Sequence, residues 1–178
     1  MKTETLLDSH VWLRIADSQW ANPLDPGFAG QRGGRWNPPK SFPVLYLNED
    51  TVTARLNLRA FVAPWPYEPE DIRDDTGPVL VGATLPSNLI VCDVHSPDGV
   101  AAVGLPASYP LDDKGETVGH DVCQPIGSAV RAAELNGIRC RSARSPRGEG
   151  RELAWFPHEA SDVAAVESRA SFADWYWS

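Results

Sequence analysis

Apolar runs broken by Gly, Pro, Asn and Asp divide the chain into short elements. Val11 to Ile15 predicts a first strand, and a stretch rich in Asn, Pro, Asp and Gly follows up to residue 40. Loops beyond about 12–15 residues in a compact domain are usually functional or disordered, and the aromatic and Arg content here favours function. Pro43-Val44-Leu45-Tyr46-Leu47 reads as a buried strand. Asp50 or Asn48 can then cap a helix over about 51–63, with Ala54, Leu58, Phe61 and Val62 forming one apolar stripe. Asn57 falls at the border of that stripe, about 80° from its centre at about 100° per residue, so its side chain can look sideways into a groove.

The Pro-rich stretch from Pro64 to Pro69 ends this helix, and strand-like runs follow at Val79 to Leu85 and Leu89 to Val94. Residues 95–121 are rich in Gly, Pro and Asp and read as a long loop or lid containing Tyr109. Ile126, Ala129, Val130 and Ala133 keep helical spacing, which predicts a second helix from about 125 to 136 with Gly137 just past its end. Ile138, Cys140 and Ser142 alternate with Arg139, Arg141 and Ala143, a strand signal that places Ser142 on the inward face. Glu152 to Phe156 is a further strand, a short one lies near Val163 to Val166, and the chain ends in Trp175-Tyr176-Trp177. The sum is one α+β domain with a bent, largely antiparallel sheet and a few flanking helices. Its core spans about residues 11–157, and an aromatic tail occupies 168–178.

Composition narrows the function classes. The net charge of −8 lowers the case for direct nucleic-acid binding, which normally needs a basic face. Arginines nevertheless crowd one late segment: Arg131, Arg139, Arg141, Arg144, Arg147 and Arg151. A guanidinium fork holds phosphate or carboxylate in a way that Lys cannot. Three cysteines without C-x-x-C or His spacing argue against a disulfide framework and a zinc site. The Asp74-Asp75 and Asp112-Asp113 pairs read as solvated loops, so no metal is expected. No apolar run reaches the roughly 18 residues of a membrane span and the first residues lack an apolar signal core, so a cytoplasmic protein without membrane contact is expected.

The segment with the most chemistry is Gly33-Gly34-Arg35-Trp36-Asn37. Two glycines permit unusual backbone angles and a close approach, and an arginine and an indole follow. The segment could bind an anion beside an aromatic plate, or it could be a tight turn whose Trp packs into the core. It is neither a G-x-G-x-x-G dinucleotide fingerprint nor a Walker A loop.

In its wider setting this block resembles the RES domain. The resemblance runs from Trp12-Leu13-Arg14-Ile15 through Gly33 to Asn37 and Val44-Leu45-Tyr46-Leu47 to Ile138 through Arg144. It implies an ADP-ribosyltransferase-like fold in a bacterial toxin that uses NAD as substrate. The implied activity is cleavage of the nicotinamide–ribose bond by hydrolysis or phosphorolysis, with ADP-ribosylation of a protein as the alternative. It also implies an Xre-type antitoxin partner. Three covers stay open for the tail around Trp175 and Trp177: the domain itself, a second copy in a homodimer, or an antitoxin. Residue by residue, Arg14 and Arg35 match arginines on the NAD diphosphate, with Gly34, Trp36 and Asn37 in the same wall. Tyr46 matches an aromatic at the nicotinamide end, and Ser142 matches a serine on the ribose or carboxamide.

The departure from the family pattern is Asn57, which stands where the resemblance implies a glutamate. An oxocarbenium-like sugar is stabilised by an adjacent carboxylate, and an amide adds no negative charge. Three readings follow: a catalytically weakened NAD-binding or partner-binding module, an introduced substitution, or a carboxylate supplied from elsewhere. Glu152, at the start of a neighbouring strand, is the candidate for the last.

Overall fold

The computed structural model describes every residue except Pro146 and Arg147, so Arg147 of the late arginine group lies outside the described residues. The strands are β1 (Thr3–Thr5), β2 (Trp12–Ala16), β3 (Leu45–Asn48), β4 (Val79–Thr84), β5 (Ile90–Val94), β6 (Gly137–Arg141), β7 (Arg151–Trp155) and β8 (Ala165–Ala170). The helices are α1 (Gly27–Arg32), α2 (Thr51–Val62), α3 (Pro97–Ala102), α4 (His120–Ala132) and α5 (Phe172–Tyr176). The strands form one sheet in the order β1-β5-β6-β7-β3-β2-β4-β8. Only the β5–β6 pair is parallel among these neighbours. This is the mixed α+β, mostly antiparallel architecture expected.

Strand alternation sorts the core into two faces. Trp12, Leu45, Leu47, Val81, Val91, Leu153 and Trp155 join one apolar cluster, so strands from both halves of the sheet share one inner face. On the opposite face, α4 and the 100–118 segment cover β5, β6 and β7 through Val94, Val100, Tyr109, Cys123, Val130 and Ile138. Further along that same face, α2 and α5 cover β2 and β4 through Ala54, Leu58, Leu80, Phe172 and Trp175.

Several boundaries differ from the sequence reading. The stretch before residue 40 contains α1, and β1 adds an unforeseen edge strand on β5. Residues 95–121 are not a lid. Ser96 caps α3 there, and Val100, Leu105, Tyr109 and Val118 are buried in the core. Helix α4 starts five residues earlier than expected and runs through Pro125, and Gly137 opens β6 instead of closing the helix. The turn after α4 is made by Glu134, with φ 58°. Asp50, not Asn48, caps α2, accepting from the Thr53 N–H at 2.7 Å. Phe61 leaves the apolar stripe; it is 64% exposed and packs edge-on against Trp65. The aromatic tail is largely covered by the domain itself, with Trp175 and Tyr176 buried and Trp177 exposed. Among the described residues no helix is long and apolar enough to cross a membrane.

Asp93 ties β5 to α3. Its carboxylate accepts from the backbone N–H groups of His95 (3.0 Å) and Ser96 (2.9 Å), and Lys2 Nζ lies 3.5 Å away. Burial alone would raise its pKa, but the hydrogen bonds from Ser96 and His95 together outweigh it and bring the value to about 2, below the ordinary 3.8. The stabilisation is therefore complete above the unfolded value and is lost as pH falls through the folded one. Unfolding free energy is expected to drop between about pH 4 and about pH 2, and less steeply in Asp93→Asn. Denaturant titrations across that window check this; equal slopes for the two proteins would contradict it.

Candidate functional site

The Gly33–Asn37 segment is a folded lock. Gly33 closes α1 at φ 76°, a left-handed angle that glycine accepts without strain. Gly34 N–H donates to the Asn37 carbonyl at 2.9 Å, and the Asn37 side chain, fully buried, donates to the Ala29 carbonyl at 2.7 Å. The Tyr46 hydroxyl then donates to Asn37 Oδ1 at 2.8 Å and accepts from the Trp36 N–H at 2.9 Å. A side chain at Gly34 would place Cβ 2.5 Å from the Tyr46 hydroxyl, so the ring and the loop can only meet at a glycine. The other side is as tight: at Gly127 of α4, a Cβ would lie 1.7 Å from the Trp36 carbonyl oxygen. Trp36 is thereby sealed in the core, 1% exposed, with its ring 6.2 Å from that of Tyr109.

The lock leaves Arg35 as the working side chain of the segment. Its Nη1 donates to the Val118 carbonyl at 2.8 Å and lies 3.8 Å from Cys123 Sγ, and neither partner neutralises the guanidinium. Burial lowers the pKa of His120, and the Arg35 cation lowers it further. Burial pushes the Tyr46 phenol well above its ordinary value, so the hydroxyl stays protonated and keeps its donor role.

The opposite wall comes from sheet register. Asn48, Glu152 and Cys140 are direct partners across β3, β7 and β6, so their side chains share one face; Tyr46, Ala154 and Ile138 form the next row. Ser142, two residues beyond Cys140, falls on the same face and is fully buried. Helix α2 then brings Asn57 over this row. Asn57 Nδ2 donates to Asn48 Oδ1 at 2.6 Å and to Glu152 Oε1 at 2.8 Å. Asn48 in turn donates to the Leu13 carbonyl at 3.1 Å, which ties β2 into the array. Burial raises the pKa values of Tyr109 and Cys140, and both residues also feel the Arg35 cation and the Glu152 anion. The cation and the anion therefore both act on the same pair of buried side chains.

The expected residues do not all converge. Arg35, Tyr46, Asn57, Ser142 and Glu152 share the site face. Arg14 does not: it alternates with Leu13, the partner of Asn48, and pairs with Val81 of the inner face. There its guanidinium lies over Trp20 at 5.7 Å, and burial lowers its pKa while Asp25 opposes this. Trp36 and Asn37 have buried side chains committed to the loop, so the tight-turn reading holds for them. The Ser142 hydroxyl accepts from the Arg144 N–H at 3.2 Å, beneath Gly150. The late arginines mostly hold backbone or carboxylates. Arg141 donates to the His95 and Tyr109 carbonyls, each at 2.8 Å, and Arg139 Nη2 bonds Glu49 at 2.6 Å. Glu4, Asp93 and His95 bring three ligand atoms within 4.8 Å, but Lys2 and Arg139 pair with these carboxylates in an ion-pair network.

Three contributors escaped the sequence reading. Asn48 reads in sequence as a helix cap, but its i, i+2 relation to Tyr46 on a strand places it on the same face. Tyr109, assigned to a loop, is buried beside Arg35 with its hydroxyl unpartnered among the described residues. Gly127 carried no local signal, because its role is a contact with a segment far away in sequence.

Fold and site together define an α+β domain in which an arginine from a glycine loop and a carboxylate on a central strand both lie by the sheet face covered by α2 and α4. The RES domain family model matches residues 11–177, and the chain belongs to that family. A search of curated proteins finds no match. Among solved structures, a similar chain occurs in the crystal structure of the M. tuberculosis MbcT–MbcA toxin–antitoxin complex. It is 19% identical with a TM-score of 0.76, over 98% of this chain and 92% of that one. At that identity the likeness establishes the fold.

Removing the Tyr46 hydroxyl isolates the lock. Tyr46→Phe leaves the Trp36 N–H and Asn37 Oδ1 without this partner and is expected to cost about 1–3 kcal/mol of stability. Urea unfolding measures it, and a loss below about 0.5 kcal/mol would show that the hydroxyl does not hold the loop.

Proposed function

We propose that this chain is a RES-type toxin that binds NAD and cleaves its nicotinamide–ribose bond. The observation that carries the reading is the Glu152 carboxylate, which Asn57 hydrogen-bonds at 2.8 Å on the sheet face that also bears Tyr46, together with the Arg35 cation, whose side-chain contacts are a carbonyl and a thiol. Bond breakage moves an electron pair onto the pyridinium nitrogen and leaves positive charge on C1′ of the ribose, where a nearby carboxylate stabilises it. Arg35 offers the complementary charge for the diphosphate through charge-assisted hydrogen bonds. The buried, unpartnered hydroxyl of Tyr109 beside Arg35 is a polar atom that a substrate group could satisfy.

Water completes the hydrolytic version. Its oxygen bonds to C1′, one proton is released, and the products are ADP-ribose and neutral nicotinamide. With phosphate as acceptor, a phosphate oxygen takes the place of water and the product is ADP-ribose carrying a phosphate on C1′. Within this reading Asn57 is a positioning residue and the catalytic carboxylate is Glu152. The Glu–amide pair has one partner on α2 and the other on β7, and their contact keeps one negative charge at the site. The likeness to a chain of a toxin–antitoxin complex supports a proteinaceous antitoxin as partner, and family membership favours the Xre type.

Release of nicotinamide from NAD tests the reading, with water alone, with phosphate and with a candidate protein acceptor. Glu152→Gln is expected to lower kcat by about 10²–10³, the usual cost of losing one such electrostatic group. Arg35→Ala is expected mainly to raise KM. Nicotinamide release that is unchanged in Glu152→Gln would remove the carboxylate from the mechanism. Labelled protein in place of free ADP-ribose would make the chain an ADP-ribosyltransferase. NAD binding without release would make it a binding module.

A further inference from the structure

The segment between α3 and α4, residues 103–119, is built from turns and one isolated bridge between Leu111 and Thr117. It is nevertheless buried at Leu105, Tyr109 and Val118. Turns leave backbone carbonyls without ladder partners, and a buried carbonyl without a donor costs free energy. Arg141, the last residue of β6, meets that need. Its Nε donates to the His95 carbonyl at 2.8 Å, and its Nη1 donates to those of Ala107 at 3.1 Å and Tyr109 at 2.8 Å. A planar guanidinium suits this role, because it aims fixed donors at several acceptors at once. At Gly148 the backbone closes over the contact, since a Cβ there would lie 3.0 Å from Pro110 Cδ and 3.3 Å from Arg141 Cδ.

The same segment holds Arg35. The Val118 N–H donates to the Pro110 carbonyl at 2.9 Å, and the Val118 carbonyl accepts from Arg35 Nη1 at 2.8 Å. Among the described residues that carbonyl is the one oxygen bonded by the Arg35 side chain, whose other contact is the Cys123 thiol. Two guanidinium groups are thus joined by one run of backbone. Arg141 fixes Tyr109, the next residue Pro110 fixes Val118, and Val118 fixes Arg35.

We propose that Arg141 is a positioning residue for Arg35. By holding the carbonyls of Ala107 and Tyr109 it keeps the Val118 carbonyl where Arg35 meets it, and so sets how that cation is presented to the diphosphate of the substrate. The inference rests on the NAD reading above and adds to it a residue that acts only through backbone. Strand alternation starts the Arg141 side chain on the face opposite Cys140 and Ser142, so its route to the site runs through the 107–118 segment.

Two readouts on the full-length protein test this. The first is the nitrogen resonances of the Arg35 guanidinium by NMR, assigned by their absence in Arg35→Lys. In the wild type the bond to Val118 should hinder rotation and keep the Nη signals apart, and in Arg141→Gln they should merge. The second is ADP-ribose affinity by calorimetry, which needs no turnover. It should fall about tenfold in Arg141→Gln, within the range of coupled neighbours, and recover in part in Arg141→Lys, which keeps a single donor. Thermal unfolding checks that each variant is folded. If Arg141→Gln is not, Arg141→Lys carries both readouts, with a smaller change in the same direction. Nη signals already merged in the wild type, or equally separate in the variants, would overturn the positioning role. So would ADP-ribose affinity unchanged from a wild type that binds it. Signals that merge as expected, in a protein that neither binds ADP-ribose nor releases nicotinamide from NAD, would keep the link to Arg35 and remove the NAD reading. Nicotinamide release by the wild type with affinity unchanged in the variants would do the reverse.

Discussion

The amide of Asn57 is the contact on which the site depends. It reaches from α2 to two strands at once, donating to Asn48 on β3 and to Glu152 on β7. Asn48 extends the array to the backbone of β2. A buried or half-buried polar group costs free energy unless it is paired, so these side chains hold one another in place. The helix, the central strands and the carboxylate are then parts of one arrangement, and the position of Glu152 follows from the packing of α2.

The loop opposite works by a different constraint. Two close approaches, Gly34 to Tyr46 and Gly127 to Trp36, bring α1, β3 and α4 together at distances that no side chain could share. The hydrogen bonds of Tyr46 and Asn37 close the lock. Its product is a single projecting cation, Arg35, held by a carbonyl and a thiol. Under the proposed function Arg35 and Glu152, each held by hydrogen bonds to neighbouring groups, are preorganised for the charge that develops in the substrate.

Much of this was legible in the residues. Period-2 alternation placed Ser142 and Cys140 on one face, helical spacing placed Asn57 at the edge of the α2 stripe, and the double glycine marked a close approach. Local patterns carry such information because they reflect backbone geometry. What they could not carry was the meeting of distant segments. Arg14 and Arg35 looked alike as phosphate ligands, yet register with Val81 puts Arg14 on the inner face. Trp36 looked like a pocket wall, and a contact with α4 buries it. The 95–121 segment has the composition of a lid, but Arg141, more than 30 residues from Tyr109, pins its backbone to the core. The contact of Asn57 with Glu152 spans 95 residues of sequence and becomes visible only when α2 is laid across β7.

Under the proposed function the site holds one catalytic carboxylate, Glu152 on β7, positioned by the amide of Asn57 on α2. Exchanging them tests it most directly. Nicotinamide release from NAD is measured for the wild type, for Glu152→Asn, and for the double variant Asn57→Glu with Glu152→Asn. Loss of release in the single variant and recovery of a substantial part of it in the double variant is the expected result. A double variant no more active than the single one, while folded to the same thermal stability, would contradict the account.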